Sequence, residues 1–353
     1  METERLRIEE DLRGQLAGEV RCDDVFVELY ASDASLFQIR PLGVVRPRTV
    51  EDVSAVARYA AENHLSLHPR GAGSSLCGGP LGDGLIVDFS RYFRRIVDCN
   101  EHEATVQAGV VLERLNRQLS RYDAVFGPDP PNRLSTTMGG VLARDASGSR
   151  WLAYGSASRY VRSVEAVLAD GSVVRFDAES SDPSVERLAS GVRDVAARHA
   201  EALATPISSA KVDRSGYAIA EACREGRVDL ARLMAGCEGT LALVTQATFE
   251  VCPLPEAVGS CLLMFNSLQE AAEAAVELGT RPLRDCDLLE RRHLSLAREL
   301  DPRYDLMVPA NVEAVLLVEL EGATHERMID GLRDVENLVV MRRRLAAGAL
   351  LAI

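Results

Sequence analysis

The run Pro69-Arg70-Gly71-Ala72-Gly73-Ser74-Ser75-Leu76-Cys77-Gly78-Gly79 constrains this chain more than any other part of it. Gly71 and Gly73 admit positive φ and put no side chain between backbone and ligand. Successive N–H groups can then form a nest for an anion such as a pyrophosphate, with Ser74 and Ser75 adding donors. Arg70 can bring positive charge to that nest. The run is not a Rossmann fingerprint. Gly71 to Leu76 lacks the third glycine, and Gly78-Gly79-Pro80 cannot start the regular helix that the fingerprint must open. Taken alone, the loop reads equally well as a plain glycine-rich turn.

Two further segments move that balance. Gly127-Pro128-Asp129-Pro130-Pro131 is followed by Thr136-Thr137-Met138-Gly139-Gly140, then Ala146-Ser147-Gly148-Ser149 and Tyr154-Gly155. Small residues at this density fill a core poorly, but they suit backbone that wraps a bulky planar ligand. Later, Gly236-Cys237-Glu238-Gly239-Thr240-Leu241-Ala242-Leu243-Val244-Thr245 leads into a strand and again leaves room for a ligand.

The ordered set resembles the FAD-linked oxidases with a p-cresol methylhydroxylase/vanillyl-alcohol oxidase (PCMH) type of FAD-binding domain. Within that superfamily it is similar to the D-lactate, glycolate and D-2-hydroxyglutarate dehydrogenases. The resemblance covers roughly residues 30–255. Tyr30-Ala31-Ser32-Asp33-Ala34-Ser35 and Arg40-Pro41-Leu42-Gly43-Val44-Val45 look most like the branch fused to an iron–sulfur domain.

The resemblance implies roles. Arg70, Gly71, Ala72, Gly73, Ser74 and Ser75 would hold the FAD pyrophosphate. Pro128, Asp129, Thr137, Gly139 and Gly140 would line the isoalloxazine and ribityl region, and Ala146, Ser147 and Ser149 would continue that wall. Glu238, Gly239, Leu243 and Val244 would contact the adenosine and diphosphate part. Covalent members of the superfamily use a His in the first loop; Ala72 to Ser75 stand there in this chain, so the implied FAD is non-covalent. Cys237 stands where the family often has Ser and reads as a small buried residue. Arg214 and Tyr217, in Arg214-Ser215-Gly216-Tyr217, read either as a substrate-orienting element or as a helix start with a packed Tyr.

No metal site is expected. His64 and His68 flank a predicted strand, where four residues span about 13 Å, too far for one ion. His102, His199 and His325 lie in polar or helical surface patterns, and His293 in a charged helix start. The family's His-Gly-His segment, which supplies metal ligands and an adjacent base, has no counterpart here, so the catalytic residues are unknown.

Composition narrows the partners. Acidic residues outnumber basic ones by 53 to 40, and a net charge of −13 argues against nucleic acid. The eight cysteines are scattered, which reads as reduced thiols in a cytoplasmic protein and excludes an iron–sulfur cluster within this chain. Residues 1–13 carry no signal-peptide pattern. The apolar run 345–353 is far below the roughly 20 residues of a membrane span.

The predicted fold is α+β. Residues 1–37 read as a helical lead-in, 38–255 as a PCMH-type FAD-binding domain of two α/β subdomains, and 256–353 as a partial α+β substrate domain, apparently truncated. Strands are predicted at 42–46, 65–69, 84–88, 95–98, 104–108, 161–168, 173–176, 241–253, 260–265 and 312–320. Helices are predicted at 111–119, 185–204, 268–278 and 325–335, and one after Thr49, which can cap it. Asp170-Gly171 signals a two-residue hairpin.

Two functional readings stay open. One is an FAD-dependent enzyme that oxidises a 2-hydroxy acid by hydride transfer to flavin N5 and passes electrons to an iron–sulfur domain or subunit. The other is a non-catalytic FAD-binding or electron-relay subunit, or an inactive fragment, that needs a partner chain.

Overall fold

The structure, a computed structural model, describes residues 2–178, 180–204, 216–224 and 226–353. The chain forms two compact units. The first holds residues 1–126, 130–146 and 156–252; the second holds 127–129, 147–155 and 253–353.

In the first unit, strands β1 (Glu19–Arg21), β2 (Gly43–Arg46), β3 (Leu67–Arg70) and β4 (Leu85–Asp88) form a sheet in the order β1-β2-β4-β3. β2 and β3 both run parallel to β4. β4 reads Leu-Ile-Val-Asp and is buried at every position, as a central parallel strand should be. Helix α1 (Glu2–Arg13) buries Ile8 and Leu12, and α2 (Asp24–Tyr30) buries Val27. The lead-in is therefore more than helix: β1 pairs antiparallel with β2, and Ile8, Leu12 and Val20 join the sheet's own core. Helix α3 (Val50–Glu62) starts at a capping box between Thr49 and Asp52 and buries Val53, Val56 and Ala60.

A second sheet in this unit is antiparallel throughout. Its strands are β5 (Ile96–Cys99), β6 (Glu103–Gln107), β7 (Val161–Val167), β8 (Val173–Asp177) and β9 (Leu243–Glu250), in the order β5-β6-β9-β7-β8. Helix α4 (Leu112–Leu119) packs Leu112, Leu115 and Leu119 into its core, where Phe126 meets Phe249 edge to face at 5.3 Å. The β7–β8 connection differs from the predicted two-residue turn. Gly171 N donates to Leu168 O and Leu168 N to Ser172 O, both at 2.9 Å, with Gly171 at φ +82. That is a three-residue loop with a left-handed glycine closing it. The predicted 185–204 helix is two helices, at Pro183–Arg198 and Ala200–Ala204, with His199 between them off helical geometry. A short helix α5 (Met138–Ala143) was not predicted, because Gly139 and Gly140 fall within its first turn.

The second unit carries an antiparallel sheet of β10 (Ala257–Phe265), β11 (Asp285–Glu290), β12 (Ala314–Gly322) and β13 (Gly348–Ala352), ordered β11-β12-β10-β13. Helices Leu268–Leu278 and His325–Glu336 bury Ala271, Ala274, Leu278, Met328, Leu332 and Val335 in its core. β11 escapes prediction because Asp285-Cys286-Asp287 carries charge where a buried edge strand would be apolar. No helix among the described residues is long and apolar enough to cross a membrane.

Candidate functional site

A cleft with about 1080 Å³ of unfilled space, open to solvent, lies within the first unit. The loop after β3, the first turn of α5 and the loop before β9 form its walls. Six glycines line it (Gly71, Gly73, Gly79, Gly139, Gly140 and Gly239), with Ala72, Ala108, Ala143 and Ala242 between them. The walls are tied backbone to backbone. Gly139 N donates to Ala108 O at 2.8 Å, Glu238 N to Ala143 O at 2.8 Å, and Ala34 N to Gly73 O at 3.1 Å.

Close packing explains the glycines. A β-carbon on Gly71 would overlap the Thr137 side chain, and one on Gly239 would overlap Pro69. Gly73 sits at φ +69, in left-handed space. Among the described residues, the amides of Ala72, Gly73, Ser74 and Ser75 meet no protein acceptor. This leaves four consecutive donors in the wall of the cleft, the arrangement an anion requires.

Arg70 lines the cleft and is also tied to the lead-in. Its guanidinium donates to Tyr30 O at 3.2 Å and Ser32 O at 2.8 Å, and lies 5.0 Å over the Tyr30 ring. Tyr30 is itself held by a 2.6 Å hydrogen bond to the buried Asp88 carboxylate and by Arg46, whose Nη2 donates at 3.0 Å. Burial lowers the pKa of Arg70, and burial together with the Asp88 hydrogen bond raises that of Tyr30. Cys237 is buried, which pushes its thiol pKa up. Glu238 adopts φ +51, so left-handed backbone runs through Glu238 and Gly239.

The predicted residues fall into three groups. Arg70 to Ser75, Thr137, Gly139, Gly140, Glu238, Gly239 and Val244 line the cleft together. Leu243 turns into the core of the first sheet, and Ala146 packs against the core of the second. Pro128, Asp129, Ser147 and Ser149 belong to the second unit. There, Asp129 pairs with Arg150 at 3.3 Å and Ser149 donates to Asp287 at 2.6 Å. Arg214 lies outside the described residues, and Tyr217 shares a 2.8 Å hydrogen bond with Thr240. His68 sits inside β3, not beside it. The sequence reading missed Phe89, Ala108, Ala143 and Arg144 in the lining. Of these, Ala143 and Arg144 carried a signal: they follow Gly139-Gly140 by about one helical turn.

The second unit holds a polar cluster of its own. Asp285 is 5% exposed, and its Oδ1 has no hydrogen-bond partner. Burial, then the neighbouring Asp287 and Glu319 carboxylates, push its pKa up to about 6. Arg284 lies 3.1 Å from Glu321 and 3.6 Å from Glu319, and the Tyr154 hydroxyl donates to Glu321.

Comparison with known proteins places this geometry. Residues 41–177 match the family described as FAD binding domain. D-2-hydroxyglutarate dehydrogenase of Escherichia coli (strain K12) is 30% identical over 285 residues, which is 76% of this chain and 28% of that protein. Glycolate oxidase subunit GlcD of Bacillus subtilis (strain 168) is 28% identical, over 83% of this chain and 54% of that one. D-lactate dehydrogenase of Archaeoglobus fulgidus is 27% identical, over 81% and 53%. The chain thus spans about half, or less, of the length of these relatives. A solved structure of alkyldihydroxyacetonephosphate synthase superposes with a TM-score of 0.69 at 16% identity, covering 99% of this chain and 60% of that one, a likeness of fold. The small-residue walls and the four unpartnered amides fit an extended cofactor with an anionic centre. Residues 41–177 of this chain are an FAD binding domain of that family.

Proposed function

We propose that this chain binds FAD non-covalently in the cleft of its first unit, and that it serves the oxidation of a 2-hydroxy acid of the D-lactate, glycolate or D-2-hydroxyglutarate class. The observation that carries the reading is the run of unpartnered amides from Ala72 to Ser75 in a wall of glycine and alanine. In this reading those amides hold the diphosphate. Thr137, Gly139 and Gly140 let a planar ring approach the backbone, and Glu238, Gly239 and Val244 close the far wall. When bound, FAD supplies a two-electron acceptor, at its N5, for the hydride of the substrate carbon. The relatives named above supply the substrate class, and an iron–sulfur domain or subunit is the electron acceptor that the resemblance implies.

A second reading, an FAD-binding or electron-relay subunit without substrate chemistry, rests on the lining itself. Among the described residues it includes no His, Asp or Lys, and its one carboxylate is Glu238. Protein reconstituted with FAD and mixed anaerobically with D-lactate, glycolate and D-2-hydroxyglutarate separates the two. Loss of the oxidised flavin's visible absorbance with any of them supports the enzyme reading. A yellow protein bleached by none supports the relay. A protein that takes up no FAD overturns both.

A further inference from the structure

Arg144 caps the C-terminal end of α5 and lines the same cleft as the Ala72–Ser75 amides. We propose that Arg144 supplies free positive charge to the cleft and engages an anionic phosphate oxygen of the cofactor's diphosphate. The inference rests on the reading that FAD occupies this cleft.

Three observations carry it. The chain has a net charge of −13, so a bound diphosphate depends on local cations. Arg70, the obvious local cation, is anchored: each terminal nitrogen donates to a backbone carbonyl and the guanidinium lies 5.0 Å over the Tyr30 ring, which fixes its place and spends two of its five N–H donors. Arg144, by contrast, has no hydrogen-bond or ion-pair partner for its side chain among the described residues, although Glu238 beside it in the lining is a carboxylate. A guanidinium without a partner, on the rim of a wall of unpartnered amides, is matched in charge and donor geometry to a phosphate oxygen. Arg70 fixes the segment at Tyr30 and Ser32 against β3, so it acts as a positioning residue.

The test compares FAD, ADP and riboflavin as ligands of the apoprotein, followed by flavin fluorescence and by calorimetry for ADP. Arg144→Gln should weaken FAD and ADP about ten- to a hundredfold and flatten the salt dependence of both. Riboflavin, which has no phosphate, should bind as before. Arg144→Lys should recover part of the loss. Arg70→Gln should weaken all flavins together and lower the melting temperature, because it frees the 30–32 segment. Equal FAD affinity and salt dependence in Arg144→Gln and parent overturns the inference while leaving the FAD reading intact. An equal loss of riboflavin overturns it too, since the residue would then shape the cleft and not read charge. A parent protein that binds none of the three ligands overturns the FAD reading and the inference with it.

Discussion

The hydroxyl of Thr137 occupies the place where a β-carbon on Gly71 would have to sit. Two segments 66 positions apart therefore meet with no spare volume, and each limits what the other can be. Gly71→Ala should destabilise the first unit by about 1–3 kcal/mol through overpacking. Thr137→Ala should relieve most of that cost in the double variant, although alone it removes a buried side chain. Urea melts of the four proteins check this. Additive effects would mean that the two residues do not press on one another.

Gly73 lies at φ +69, with the Arg70 guanidinium beside it. Gly73→Val puts a β-branched residue into left-handed backbone. We expect loss of FAD with far-UV circular dichroism retained, because the loop lines an open cleft and no core residue depends on it. Full FAD occupancy in the variant would reduce this loop to a plain turn.

Covalent attachment is expected to be absent, since Ala72 to Ser75 offer no histidine to the flavin. Acid precipitation should release all the FAD to the supernatant. Yellow colour left in the pellet would contradict the reading.

Asp285 ties stability to pH. Its pKa is raised to about 6 by burial, then by Asp287 and Glu319, with Arg150 opposing. A carboxyl raised above its unfolded value favours the neutral form in the fold. Its contribution is complete below the unfolded pKa of about 3.9 and is lost as pH rises through about 6. Asp285→Asn should therefore stabilise the second unit by about 1–2 kcal/mol at pH 8 and little at pH 4. Thermal melts of parent and variant from pH 4 to 8 test the sign: a gain that grows toward acid would refute it.

The sequence made the cleft legible where chemistry is local. Gly71 and Gly73 announce backbone that must bend and lie bare, and Thr49 with Asp52 announces a helix start. It did not reveal what depends on distant partners. Arg70 is an attractive phosphate ligand by composition, but its anchoring to the carbonyls of Tyr30 and Ser32, 40 and 38 residues away, could not be read from the motif. Ser149 looks like flavin wall by motif, but its hydroxyl bonds Asp287, 138 residues later. The edge strand β11 and helix α5 stayed hidden because charge in one and glycine in the other cancel the period that a reader looks for.

The excursion of residues 147–155 into the second unit also has a consequence in time. Ser149 and Tyr154 are held by Asp287 and Glu321, and the second of these pairs spans 167 positions. A ribosome adding roughly 5–20 residues per second finishes Tyr154 some ten to thirty seconds before Glu321 exists. During that interval the nascent first half carries a segment whose partners have not been made. It must keep those residues, Trp151 and Leu152 among them, from settling elsewhere. The order of synthesis therefore makes this segment one of the last parts of the chain to reach its place, however early it is translated.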